Sequence, residues 1–363
     1  MRRIIVVLSI LVIVSLACSD QTPKVPPTPQ NSVFDSGRIV YGFFPSPTRV
    51  SLQSVFDTYK RIGQHADVVL IQQNIPWADF VSSADGQSKT ITDLTNQLIL
   101  ASQNHIEPIF IVDPLNGLNR REFSGLPTGW QASFANPDVR AAFKNFTLRI
   151  VREFHPRYLG LASEINTYAD AYPNDFPNYL SLYNETYAAV KAEAPNTQIF
   201  VTFQWEDLNN LIQGAAEGKP YDTKWNLAEA FEPHLDLWVI STYPFAAFKS
   251  AADIPADYYT PLLTRTSKPL AVAEGGFSSE PIPPFGGSSQ DQIDYINAIH
   301  TQLGARLKFW IYILINDIDM NSYSSQMKSG QDTLNWFSHM GMIDLDGNPK
   351  PVLSVWDGFR AKH

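Results

Sequence analysis

Glu164 and Glu274 each stand directly behind a short, strand-like apolar run. Tyr158-Leu159-Gly160-Leu161-Ala162-Ser163 precedes the first, and Pro269-Leu270-Ala271-Val272-Ala273 precedes the second. In a parallel barrel, side chains at the carboxyl ends of strands line the mouth where chemistry takes place. Two carboxyl groups facing each other there suit the cleavage of an acetal. One donates a proton to the leaving oxygen, while the other attacks the carbon or activates water. A single glutamate at a strand end is more often a cap or an ion-pair partner. Two of them, at the fourth and seventh strands, favour the catalytic reading.

The elements that must carry these residues repeat along the chain. Strands are expected at Ile39–Phe44, Val68–Gln72, Glu107–Val112, Tyr158–Ser163, Gln198–Phe203, Leu235–Ser241, Pro269–Ala273 and Leu307–Ile313. Helices fit between and after them, near Leu52–Ile62, Ile91–Gln103, Asp138–Glu153, Pro177–Ala194, Leu227–Phe231, Ala256–Arg265, Gln290–Gln302 and Val352–Arg360. Pro108-Ile109-Phe110-Ile111-Val112 runs without polar alternation, as a strand covered on both faces should. Eight strand–helix units in series predict an α/β chain folded as one closed (β/α)8 TIM barrel over residues 37–363, rather than an open doubly wound sheet.

That fold makes an inventory of mouth residues. Gln72, Gln73 and Asn74 end the second strand, with Trp77 behind them, and Asp113 ends the third, followed by Asn116. Asn166 accompanies Glu164; Gln204, Trp205 and Glu206 follow the fifth strand, and Tyr243 the sixth. Trp310 lies on the eighth, which runs on to Asn316 and Asp317. Amides, carboxylates and aromatics dominate, which is the side-chain set of a carbohydrate site. Trp77, Trp205, Trp310 and Tyr243 serve equally well as core or rim aromatics. The loop from Trp205 to Trp225 is long enough to wall a subsite or act as a lid.

Three short segments carry a resemblance. Ala162-Ser163-Glu164-Ile165-Asn166, Ile240-Ser241-Thr242-Tyr243-Pro244-Phe245 and Ala271-Val272-Ala273-Glu274-Gly275-Gly276-Phe277 resemble the strand-four, strand-six and strand-seven motifs of glycoside hydrolase clan A. The likeness is nearest to the endo-β-1,4-galactanase type. Met340 to Pro351 resembles the segment that leads such barrels into their last helix. The resemblance implies a retaining mechanism, with Glu164 as acid/base, Glu274 as nucleophile, Tyr243 hydrogen-bonded to the nucleophile and Trp310 beneath the sugar. Asn166, Trp205, Gln204, Asp113 and Trp77 complete the expected substrate-binding set. An ionised Glu274 close by is expected to raise the pKa of Glu164. Two departures stand out. Ser163 occupies the place where the clan usually has an asparagine that contacts the sugar 2-hydroxyl, and Gln72 and Gln73 stand where many members have an arginine.

The chain's amino-terminal end reads as an address. Arg2 and Arg3, the apolar stretch Ile4–Val14 and Ser15-Leu16-Ala17 form a secretory signal peptide over residues 1–17. Leu16-Ala17-Cys18 resembles the bacterial lipobox, which implies a diacylglycerol on Cys18, the single cysteine of the chain. Residues 18–36 are rich in Pro, Ser and Thr and read as a tether. The expected location is the cell envelope, lipid-anchored to a bacterial membrane, as a monomer whose membrane contact is through Cys18 only. A net charge of −9 with no basic patch argues against a nucleic-acid partner. The seven histidines show no zinc spacing, and no phosphate or nicotinamide fingerprint is present, so neither metal nor cofactor is expected. Asp344, Asp346 and Asn348 around Gly347 lack the closing glutamate of a calcium loop and predict a β-turn. The reading is therefore a retaining glycoside hydrolase of β-linked poly- or oligosaccharides. Its rivals are a barrel that binds glycans without cleaving them and a two-lobed solute-binding lipoprotein.

Overall fold

A computed structural model of the protein describes residues 32–212, 218–327 and 330–362. The signal peptide, Cys18 and most of the tether lie outside the described residues.

Eight parallel strands close into a barrel. They are Val40–Phe44, Val68–Asn74, Glu107–Asp113, Tyr158–Gly160, a fifth in two pieces (Gln198–Phe200 and Thr202–Gln204), Trp238–Thr242, Leu270–Gly275 and Leu307–Leu314. The break in the fifth strand is what completes the circle. Its first piece pairs with strand four and its second with strand six, all in parallel register. Around the remaining circumference, strands four, three, two, one, eight, seven and six follow in turn. All eight strands fall where the apolar runs predict them, within a few residues at each end.

The interior is apolar because each strand is covered twice, by the barrel lumen and by the helices outside. Every residue of Val40–Phe44, Trp238–Thr242 and Leu270–Gly275 is buried. The helical layer begins and ends on recognisable signals. Ser51 caps Leu52–His65 by accepting from the Ser54 amide, and Asn136 caps Pro137–Phe154 by accepting from Asp138. Phe176–Glu193 stops just before Pro195-Asn196, and Pro351 opens the final helix, Pro351–Ala361. The helix expected at Ala256–Arg265 is only Pro261–Arg265, because Pro261 takes the first helical position and the preceding residues turn. Asp344 accepts from the amides of Asp346 and Asn348, and the Gly347 amide donates to the Asp344 carbonyl, so the Asp344–Asn348 stretch is a turn.

Among the elements without an expected counterpart, one covers the barrel mouth. After strand three, Leu115–Asn116 and Asn119–Phe123 form an antiparallel hairpin that folds over the barrel mouth. At the opposite end, Ser32 and Val33 donate to the Glu107 carboxylate at 2.7 Å each, and the Phe34 ring meets Tyr158 edge-on at 5.1 Å. The last residues of the stretch read as tether thus dock against the bottom of the barrel.

Candidate active site

Glu164 leaves strand four in a left-handed conformation, with φ of 51°, and forms the N-cap of the short helix Ile165–Ala171. A non-glycine residue holds that geometry only when its surroundings fix it. Thr202 on strand five supplies the fixation: its Oγ1 accepts from the Glu164 amide at 2.7 Å and lies 3.1 Å from Ser163 Oγ. The carboxyl of Glu164 is aimed inward and accepts from Ser241 Oγ at 2.5 Å.

Glu274 sits next to Ser241 in the register of strands six and seven, after an irregularity between Val272 and Glu274. Tyr243 Oη donates to Glu274 Oε1 at 2.5 Å. The next residue is glycine for a steric reason: a Cβ at Gly275 would come within 2.5 Å of the Thr242 carbonyl oxygen.

Between the two glutamates lies Arg120, from the hairpin. Its Nε donates to Glu164 Oε2 at 2.9 Å, its Nη1 to Asp113 Oδ2 at 2.5 Å, and its Nη2 is 3.8 Å from Glu274 Oε2. Both glutamates therefore converge on one guanidinium, each about 8% exposed. Asp113 holds the cation from behind and is itself tied by Gln72 Nε2 at 2.6 Å and the Leu115 amide. Arg120 comes from the hairpin rather than from strand two, and Gln72 belongs to its support through Asp113. Sequence reasoning missed it, although Asn116-Gly117 between Leu115 and Leu118 is a hairpin signal.

The electrostatics follow from this crowding. Burial opposes the charge on Arg120, but the carboxylates of Asp113, Glu164 and Glu274 outweigh it and raise its pKa. Burial also raises Asp113, with Arg120 acting against the rise. Glu274 is pushed up to about 7, first by burial and next by the charge of Glu164, with Arg120 and the Tyr243 hydroxyl pulling the other way. Glu274 is held directly by the Tyr243 hydroxyl and only at 3.8 Å by Arg120, whereas Arg120 and Ser241 bond directly to Glu164.

Several expected substrate contacts serve the scaffold instead. Asn166 is fully buried; its amide donates to the Gln204 carbonyl and its Oδ1 accepts from the Gln204 amide, locking strand four to strand five. Gln204 caps the turn Trp205–Leu208 by accepting from Asp207, and its Nε2 donates to Glu206 at 2.7 Å. Trp310 is fully buried against Tyr41, Trp356 and Phe359, the last two on the final helix, so it faces outward and cannot lie beneath a sugar in the mouth. Trp205 is buried among Trp225, Tyr258 and Tyr259. Trp77 donates to the Ser124 carbonyl at 2.6 Å and anchors the hairpin's exit. Ser163 is fully buried toward Thr202, so it does not replace the missing asparagine at the mouth.

Glu206 is a buried carboxylate with four donors: Gln204, Thr242 Oγ1, the Tyr243 amide and Tyr258. Burial raises its pKa against those bonds, and its grip on the Tyr243 backbone positions the hydroxyl that reaches Glu274. On the same side, Phe337 meets the Tyr243 ring at 5.3 Å, and Trp336 meets Phe285 at 5.2 Å. Phe337 and Trp336 are half-buried, in the segment after strand eight, and together with Phe245 and Phe285 they build an aromatic wall beside Glu274. Nothing in their spacing marks them out. Of the expected lid between Trp205 and Trp225, Trp205 to Asn209 is buried and residues 218–222 are exposed, tied down by the Lys224 amide on the Leu208 carbonyl and the Tyr221 amide on the Asn209 carbonyl; residues 213–217 lie outside the described residues.

No known family model matches the chain, and no curated protein matches it. Solved structures do. An exo-β-1,4-mannosidase from Opitutaceae bacterium strain TAV5 superposes with a TM-score of 0.64 at 15% identity, over 89% of this chain and 59% of its own. This chain therefore spans less than two thirds of that mannosidase. A GH5_18 protein from Bifidobacterium longum subsp. longum gives 0.61 at 16% identity, over 90% of this chain and 80% of its own. Fungal β-1,4-galactanases give 0.55 at 14% identity, over 89% and 94%. At these identities the likeness is one of fold, and that fold is the (β/α)8 barrel.

Proposed function

We propose that the protein is a retaining glycoside hydrolase of β-linked poly- or oligosaccharides, held at the cell envelope by a lipid on Cys18. The observation that carries the reading is the convergence of Glu164 and Glu274, from strands four and seven, on the single guanidinium of Arg120, with Tyr243 bonded to Glu274. In this reading Glu274 attacks the anomeric carbon while Glu164 protonates the departing oxygen. Glu164 then takes a proton from water, and the resulting hydroxide releases the sugar from Glu274. Arg120 balances the negative charge that two close carboxylates and Asp113 would otherwise concentrate in a buried site. The reaction needs Glu274 ionised, so its raised pKa sets the acid side of the activity. The barrels of similar fold include a β-1,4-mannosidase and β-1,4-galactanases, which makes β-1,4-mannan and β-1,4-galactan the first substrates to try.

The test is turnover of a β-glycan panel by the intact chain and by Glu274→Gln. Loss of at least about a thousandfold in kcat, with the protein still folded, is expected for removal of a nucleophile. Full activity in Glu274→Gln would overturn the assignment. A second reading, glycan binding without cleavage, draws on Ser163 facing Thr202 and on Arg120 pairing with Glu164. Affinity without turnover, unchanged in Glu274→Gln, would select it.

A further inference from the structure

A groove of about 500 Å³ opens between the hairpin and the helix that follows Glu164. Its walls come from the two elements that hold the proposed acid. Arg121, Glu122 and Phe123 directly follow Arg120 on the hairpin, and Tyr168 lies one helical turn beyond Glu164. Phe123 meets Tyr168 edge-on at 5.9 Å, which closes the floor. Above that floor stand Trp130 and Tyr172, and Tyr172 is 45% exposed. A tyrosine ring left that open, tilted against a buried Tyr168 at 4.9 Å, is not core packing.

Aromatic faces flanked by a guanidinium and a carboxylate match a pyranose. The ring's C–H face lies on the aromatic, and its hydroxyls bond to charged groups at the edge. The position adds direction. In the reaction proposed above, Glu164 protonates the leaving oxygen, and the groove borders the helix that Glu164 caps, which points to the leaving-group side.

We propose that this groove is a saccharide subsite on the leaving-group side of the cleft, with Trp130 and Tyr172 as stacking platforms and Arg121 and Glu122 as hydroxyl partners. The inference rests on the hydrolase reading for its polarity, and it makes the ligand an extended β-linked oligosaccharide rather than a single terminal sugar.

The experiment is calorimetric binding of β-1,4-manno- and β-1,4-galacto-oligosaccharides, from disaccharide to hexasaccharide, to the Glu274→Gln chain. Affinity should rise with length. Adding Trp130→Ala and Tyr172→Ala should weaken the longer ligands about tenfold while leaving the shortest unchanged, and Tyr172→Phe, which keeps the ring face, should retain binding. Equal affinity for the hexasaccharide with and without the two alanines overturns the subsite, as does absence of binding by every ligand in both series. Length-dependent binding through Trp130 and Tyr172, with no turnover by the chain retaining Glu274, would leave the subsite standing and sink the hydrolase reading alone.

Discussion

At the scale of single residues, the site is defined by one cation among three carboxyl groups. Arg120 meets Asp113, Glu164 and Glu274, all buried. Removing a partner from such a cluster leaves uncompensated charge in a poorly solvated place, which typically costs 3–5 kcal/mol. Arg120→Ala is therefore expected to lose roughly that much in urea denaturation, with a smaller loss near pH 4, where the carboxyls can be neutralised. Lysine, a point charge without the forked geometry, should restore only part. A pH-independent loss, or none, would mean that the cluster is not electrostatically coupled. Glu274 supplies a second prediction. Its pKa is raised from an ordinary 4.5 to about 7, so the folded state prefers the neutral form. That preference contributes its full stability below about pH 4.5 and is lost as pH rises through about 7, by on the order of 1–3 kcal/mol. Glu274→Gln, neutral throughout, should match the parent's melting temperature near pH 4.5 and exceed it by several degrees at pH 8. A gap that stays constant with pH would reject the raised pKa.

At the scale of elements, strand ends do the positioning, and here legibility in the sequence divides by physical cause. The eight strands were readable because double coverage makes them unbroken apolar runs, as in Ile109-Phe110-Ile111-Val112. Glu164, Glu274 and Tyr243 were readable because they stand directly behind such runs. Which way a side chain points was not readable. Asn166 and Trp310 lie on the right elements, yet one locks strand five and the other packs beneath the last helix. Arg120 escaped notice because an antiparallel hairpin in a parallel barrel carries it, and that hairpin's turn signal is only a few residues long. The left-handed turn at Glu164 could not be anticipated either, since it depends on Thr202, 38 positions away. Thr202→Val should therefore cost about 1–2 kcal/mol by leaving the Glu164 amide unpaired. It should also lower kcat more than it raises KM, because it displaces a reacting group rather than a binding surface. Thr202→Ser keeps the hydroxyl and should recover both. Wild-type kinetics in Thr202→Val would show that the turn is held without it.

At the scale of the whole molecule, the barrel separates chemistry from stability, as parallel barrels do. The carboxyl cluster, the hairpin and the two aromatic walls sit at the carboxyl ends of the strands. The opposite end is closed by ionic and apolar contacts remote from that cluster. There Asp67 accepts from Arg38 at 2.7 Å and from Arg360 at 3.0 Å, joining the start of the barrel to its last helix. Glu107, at the start of strand three, is covered by Ser32 and Val33, and Phe34 lies on Tyr158. Contacts with the barrel thus include residues 32–34, inside the stretch 18–36 that composition assigns to the tether. A chain starting at residue 37 loses two hydrogen bonds to a partly buried carboxylate and the cover of one aromatic ring. Together these amount to about 2–4 kcal/mol. A chain starting at residue 31 keeps all of them and should melt higher by that margin. If both truncations melt together, the docked segment contributes nothing. If only the shorter one drops, by several degrees and with unchanged kcat/KM on any substrate found, the bottom of the barrel is a closure that stabilises the fold without touching the site.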